Sequence, residues 1–365
     1  MKHKNHRRLP ALFPVILSLF LLTACSTGQS PTQAHTDKAS ASTETEPGSI
    51  APPVTEGLNL VTTTSQVLGG PTQMLQEKMT AAAEHADGIS FTHYDSSSLF
   101  KSAEEFQALV DHDVDIAFLS TSWFYDNGAK WCDMYASTYL FNNYQHVKDY
   151  FDPASETGSD FQQKIYDEFH IWPVYCFSLS ERNLWIKDDR AVNTPEDLSG
   201  LLLRVPNGAS WMKLGESLGT SPTTLDTNEV YLGLQTGTIE AQENNMISSY
   251  TNSFQEVTKT IVKTEHQYTF NLVCVAGDVW DSMSDQQKNT LTSVIIQAVD
   301  ENDHEVREKE EAILKDCSEN YGITIQEPDL AAFRAYAENY YLNSADAEYW
   351  DMDLYHKIKE MGKKY

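Results

Sequence analysis

The sequence predicts an α/β protein built from two similar lobes with a ligand cleft between them. Three observations predict it. A β-α-β-α-β pattern occurs twice in the chain. The foldable part, residues 57 to 365, suits two lobes at about 100–200 residues per domain. The apolar run Gly200-Leu201-Leu202-Leu203 ends on Arg204, whose guanidinium keeps its charge at any physiological pH, so this strand has a charged end to account for.

The N-terminus, MKHKNHRR, carries Lys2, Lys4, Arg7 and Arg8 and no acid, and an apolar stretch of signal-peptide length follows. Pro10 and Pro14 interrupt it, and it falls short of the roughly 18–20 unbroken apolar residues that spanning a membrane needs, so a cleaved signal over 1–24 is favoured over an uncleaved anchor. Residues 25–56 are rich in Ser, Thr, Pro and Ala and poor in large apolar side chains, the composition of a disordered tether. Loss of the four basic residues with the signal leaves 22 − 53 = −31 net charge, which argues against phosphate-neutralising nucleic-acid binding.

The first repeat begins with a strand at Leu58-Asn-Leu-Val-Thr-Thr-Thr, continues with a helix at TQMLQEKMTAAAEH and a second strand at ISFTHYD, and closes with FQALVDHDVDIAFLS (106–120). The second begins at Leu201-Leu-Leu-Arg-Val, continues with SWMKLGESLG and SPTTLD, and closes with YLGLQTGTIEAQENN (231–245). Phe106/Tyr231, Leu109/Leu234, Val114/Ile239 and Asp115/Glu240 correspond. The earlier half of each closing segment has helical spacing and the later half alternates as a strand does, with Gly237 ending the second helix. Ser102 with Glu105, and Asp226 with Glu229, have capping-box spacing.

Ligands in open α/β sheets bind outside the carboxyl ends of the strands. Arg204 ends one such strand, and Asn244 and Asn245 follow another in the same lobe. Their first-lobe counterparts are Thr63 to Gln66 and Ser120, Thr121 and Trp123. A guanidinium there suits bidentate capture of a carboxylate. The competing readings are an ion pair of Arg204 with Asp197 and local turn bonds for the two asparagines.

The segments TPEDLSGLLLRVPN (194–207) and NEVYLGLQTGTIEAQEN (228–244) resemble motifs of the solute-binding proteins of TRAP (tripartite ATP-independent periplasmic) transporters, the C4-dicarboxylate-binding, DctP-like family. YLFNNYQHVKDYF (139–151) and VWDSMSDQQKNTL (279–291) support the resemblance, which covers about 57–365. It implies a periplasmic-binding-protein-like fold with crossover strands and a long C-terminal helix. Residues 284–321, with Leu291, Val294, Ile295, Ala298 and Val299 at helical spacing and Gly322 behind them, fit that helix, although the charge after residue 300 also permits a break. Lobe I is expected at 57–179 plus 270–309 and lobe II at 180–269 plus 310–365.

By the same resemblance Arg204 and Arg182 hold a carboxylate, and Asn244 and Ser120 bond the ligand's polar groups. In the reading of the cleft built on these residues, Trp123, Tyr139 and Trp211 are expected to exclude water, and Asn207, Thr227 and Asn245 to complete the lining. Thr227 and Asn245 depart from an aromatic and a proline usual in the family, which favours a more polar ligand; Trp211 either replaces the lost wall or packs on its own helix face. Leu22-Thr-Ala-Cys25 resembles a lipobox, with Cys25 lipidated. The implied partners are a small carboxylate, the small and large membrane subunits of a TRAP transporter, and the membrane through the lipid. The implied place is the extracytoplasmic face of a bacterial membrane, as a monomer without cofactor. A ligand sensor that hands its solute to a signalling receptor would share the cleft and the anchor.

No HExxH, GxSxG, P-loop or GxGxxG pattern occurs, so a secreted hydrolase has no motif to support it. Asp111, Asp113 and Asp115 lack the spacing of a calcium loop, and the histidines, His266 among them, lack ligand spacing. Cys132, Cys176, Cys274 and Cys317 allow three disulfide pairings or serve as small buried hydrophobes.

Overall fold

The computed structural model describes residues 57–66 and 68–365; the expected signal peptide, Cys25 and the tether lie outside the described residues. The first repeat forms β1 (Leu58–Thr63), α1 (Pro71–Ala83), β2 (Ile89–Tyr94), α2 (Ser102–Val110), β3 (Ile116–Leu119) and α3 (Thr121–Asp126). After α4 (Tyr144–Phe151) and α5 (Glu156–Phe169) comes the long strand β4 (Ile171–Ile186). The second repeat forms β5 (Leu202–Val205), α6 (Ala209–Ser217), β6 (Ser221–Thr224), α7 (Thr227–Thr236), β7 (Ala241–Asn245) and α8 (Met246–Thr251). A second long strand, β8 (Thr260–Ala276), leads to α9 (Gly277–Ser282) and α10 (Asp285–Tyr321), then β9 (Thr324–Gln326), α11 (Leu330–Leu342) and α12 (Met352–Met361).

The two parallel units do not form separate sheets. The strand order is β2-β1-β3-β8-β4-β7-β5-β6, with β9 on β8. Each repeat supplies three parallel strands, and the antiparallel pair β4 and β8, of 16 and 17 residues, joins them. Strand β4 is nearly continuously buried, and β8 is so at both ends, while its polar middle from Val262 to Phe270 alternates buried and half-buried positions. Midway they lose register, between Ser178 and Glu181 and again between Arg182 and Leu184; Ser180 and Glu265 there have φ of 86° and 44°.

Distinct cores define two lobes. One surrounds Leu75, Phe118, Phe151, Phe177 and Ile295. The other lies on the two faces of the β5–β7 half: Leu203, Val205, Leu214 and Phe333 on one face, and Trp185, Val230, Ile239 and Phe254 on the other. Helix α10 runs unbroken for 37 residues, about 55 Å at 1.5 Å per residue. Ser284 and Gln287 form its capping box, and Gly322 ends it in the left-handed conformation. It packs Ile295 and Val299 into the first core and Ile313, Leu314 and Cys317 into the second.

Two expected caps differ. The N-cap of α2 is Lys101, whose N–H donates to the Glu104 carboxylate at 3.0 Å, one position before the expected Ser102–Glu105 box. Glu105 cannot reach back because it lies on the buried face of the helix. Asp226 does occupy the N-cap of α7, but its carboxylate accepts from Asn207 Nδ2 instead of capping. The four cysteines are free and buried. Among the described residues no group could hold a metal ion, and no helix is long and apolar enough to cross a membrane.

Candidate ligand-binding site

Alternation along β5 explains its charged end. Leu203 and Val205 point to the core beneath α6 and α11, so Arg204 points to the opposite face, where α7 begins. Its Nε donates to the Leu225 carbonyl at 2.7 Å and its Nη2 to Thr227 Oγ1 at 3.3 Å. The side chain is 1% exposed, and the buried Nη1 has no partner among the described residues. Asp197 is not its counter-ion, since that carboxylate accepts the N–H groups of Asn193 and Thr194, both at 2.9 Å.

Arg182, on β4, is committed differently. Its Nε and Nη2 hold Glu243 in a fork, at 2.6 Å and 2.7 Å, and its guanidinium stacks on Trp211 at 4.5 Å from the ring centre. Glu243 is on β7, and antiparallel pairing of β7 with β4 brings it beside Arg182. His266 on β8 completes the cluster, with Nε2 at 3.2 Å from Glu243 Oε2 and Nδ1 at 2.8 Å from Thr264 Oγ1. Burial alone would raise the Glu243 carboxyl, yet the Arg182 charge and the hydrogen bonds from His266 and Arg182 hold it down at about 2. Burial lowers the His266 imidazole more than Glu243 restores it, so the ring is neutral at pH 7. Burial likewise lowers Arg204, with Glu243 supporting its proton and Arg182 opposing it, and the three charges act as one group.

A cavity of about 280 Å³ opens beside this cluster, near the small end of ligand pockets. One wall is the short helix α3 and its N-cap, with Ser120, Tyr125 and Asp126; the other is the turn into α6 and its first turns, with Asn207, Trp211 and Lys213. Gly208, at φ 138°, makes that turn, a backbone conformation open to glycine. The β8 segment Gln267–Phe270 forms the floor, and Gln267 Oε1 and Thr269 Oγ1 there are buried without partners among the described residues. Such groups favour a ligand that donates hydrogen bonds.

Of the sequence-derived residues, Ser120, Asn207 and Trp211 line the cavity, and Arg182 adjoins it through Trp211. Arg204 and Thr227 bond each other on the α7 side. Asn244 accepts the N–H of Asn245 at 2.9 Å, and Asn245 caps α8 through Ser248 N at 2.7 Å, the local bonding left open from sequence. Tyr139 does not reach the cavity: its ring belongs to the second core and its hydroxyl donates to the Thr264 carbonyl. Trp123 packs on the first core and does not line the cavity either. Sequence reasoning missed Glu243, Lys213 and Gln267, and took His266 for an isolated histidine. The available signal was Glu243 itself, an acid inside a strand that also had to be buried.

A sequence-family model described as "Bacterial extracellular solute-binding protein, family 7" matches residues 61–348. The chain is 28% identical over 224 residues to a solute-binding protein of Roseobacter denitrificans, covering 61% of this chain and 67% of that one. It is 30% identical over 202 residues to the sialic acid-binding periplasmic protein SiaP of Vibrio cholerae, covering 54% and 60%. The match to SiaP therefore spans less than two thirds of that relative. A crystal structure of a TRAP periplasmic solute-binding protein from Roseobacter denitrificans, with bound 3-deoxy-D-manno-oct-2-ulosonic acid, superposes with a TM-score of 0.74 at 24% identity, covering 84% of this chain and 100% of that one.

Proposed function

The chain belongs to bacterial extracellular solute-binding protein family 7, the DctP-like proteins of TRAP transporters, and from that premise we propose that it captures a small organic acid between its lobes and delivers it to TRAP membrane subunits. The observation that carries the reading is Arg204. A buried guanidinium nitrogen without a partner costs about 1–3 kcal/mol, and a carboxylate oxygen entering from the cleft would relieve it. Relatives in the same family are named for acids, among them sialic acid and 2,3-diketo-L-gulonate, which supports the same ligand class. The strand ends of the two repeats face a shared cleft, and the disrupted register at the middle of β4 and β8 suits a hinge for closure. In this reading lobe I is 57–179 plus 270–309 and lobe II is 180–269 plus 310–365, and Cys25 carries the lipid that keeps the monomer at the extracytoplasmic face of the membrane. It acts as a carrier and performs no catalysis.

The test is a thermal-shift panel on protein stripped of carried ligand by unfolding and refolding, with organic acids, sugar acids, amino acids and neutral sugars. Binding to the native state raises the melting temperature with ligand concentration. A rise with acids supports the proposal. A rise with neutral sugars alone, with every acid silent, removes it.

A further inference from the structure

The C-terminal helices enclose a second, far smaller cavity of about 10 Å³, room for one water-sized sphere. It lies where α11, α12 and the segment Ser137–Tyr139 meet, and it shares no lining residue with the cavity beside Trp211. Arg334 on α11 and Lys359 on α12 both line it. The Arg334 Nε is buried without a partner, and no carboxylate pairs with the guanidinium among the described residues. Lys359 donates to the Tyr139 carbonyl at 3.0 Å, a single bond for an ammonium with three N–H donors. Burial lowers the Lys359 ammonium, Glu338 restores part of the loss, and the Arg334 charge adds to it. The neutral groups of the lining are already engaged. Ser137 Oγ donates to the Met134 carbonyl, Thr138 Oγ1 bonds Ser217 Oγ at 3.0 Å, the Tyr139 hydroxyl donates to the Thr264 carbonyl, and Trp350 Nε1 donates to Asp133 at 3.1 Å. Glu338, the one carboxylate of the lining, is exposed and already accepts the Tyr355 hydroxyl at 3.0 Å. Two cations against one acid leave a positive charge over, in a space too small for a polyatomic anion.

We propose that this cavity is a halide site, in which one chloride sits between Arg334 Nε and the Lys359 ammonium and pins α12 against α11 and the Tyr139 segment. A water would fill the same space and accept the same hydrogen bond, but it would leave the charge uncompensated. A chloride supplies the acceptor and the charge together, and an enclosed cation that lacks both is costly. The site is structural and independent of the organic-acid cleft: the halide contributes to the stability of the C-terminal helices and takes no part in holding the solute.

The test uses the whole protein, stripped of carried ligand, with sodium chloride and sodium bromide as the probes. Crystals grown with bromide in place of chloride should give an anomalous peak between Arg334 Nε and Lys359 Nζ; a water there without anomalous signal overturns the inference. In solution, melting temperature is followed as chloride replaces fluoride, a more tightly hydrated anion, at constant ionic strength. Wild type should gain at least about 2 °C between about 1 and about 100 mM chloride, because an ion bound only by the native state stabilises it by mass action. Arg334→Met and Lys359→Met should each lose that gain. An equal gain in wild type and both variants, or a gain that disappears in Arg204→Met instead, places the halide elsewhere and overturns the proposal. A bromide peak without any chloride effect on melting means an adventitious ion only, and overturns it too. Should a variant fail to fold, the bromide peak and the wild-type response still decide.

Discussion

Replacing Arg204 by methionine separates a ligand-holding role from a structural one. Methionine keeps most of the apolar stem and leaves only a small void, while deleting all of the guanidinium. The fold loses the Nε bond to the Leu225 carbonyl, roughly 1.5–3 kcal/mol for a bond from a charged donor, and the longer, weaker contact to Thr227. It also sheds the unpartnered Nη1, worth about 1–3 kcal/mol in the other direction. The two nearly cancel, so urea denaturation should place Arg204→Met within about 2 kcal/mol of wild type. Acid binding behaves otherwise. Truncating one partner of a buried charge pair costs about 2–5 kcal/mol, so calorimetry should find affinity lowered from about thirtyfold to several thousandfold. A variant that is grossly unfolded, or one that binds as wild type does, would refute the reasoning.

Glu181 lies where the long strands lose register, and burial, with Glu265 and Glu310 beside it, raises its carboxyl to about 7. A carboxyl raised on folding is a better proton binder in the native state, so its contribution is present below the unfolded value and declines as pH rises from about 4.5 through 7. Urea midpoints between pH 5 and 8 should show that decline in wild type and a flatter profile in Glu181→Gln; equal slopes would discount the group. Gly158→Ala should destabilise by more than about 2 kcal/mol in thermal unfolding, because an added Cβ would lie 2.0 Å from the Asp152 carbonyl oxygen. Reductant should leave the melting temperature unchanged, since Cys132, Cys176, Cys274 and Cys317 are unpaired; a fall would reveal a disulfide.

The repeats were legible from comparing two segments and the placement of Arg204 from the strand pattern around it, whereas the long helix was an expectation of the family resemblance that the spacing of Leu291, Val294, Ile295, Ala298 and Val299 supported. The α2 cap slipped by one residue because spacing cannot tell which of two neighbouring glutamates faces the core; burial of Glu105 decided it. Glu243 escaped for a stronger reason. Its partners Arg182 and His266 come from two other strands, brought near it by antiparallel pairing whose register is broken at that point. Tyr139 shows the opposite failure: an aromatic within a family motif suggested a cleft wall, whereas its hydroxyl had a carbonyl to satisfy inside the second core.

The order of strands also sets the order in which the chain can fold. Strand β3 is complete by Leu119, yet its neighbour in the sheet is the far half of β8, where Ala117 pairs with Cys274. Until about 150 further residues have appeared, the first lobe exposes one open β edge and lacks the β8 share of its core, Leu272 to Ala276. Strand β4, in turn, waits for the same β8. Such long-range pairings make folding slow and leave the nascent chain extended and dependent on holding factors. If export takes the form proposed above, with the chain crossing the membrane unfolded, late closure of the sheet would be an advantage: the N-terminal lobe would not finish folding on the wrong side while the rest is still being made.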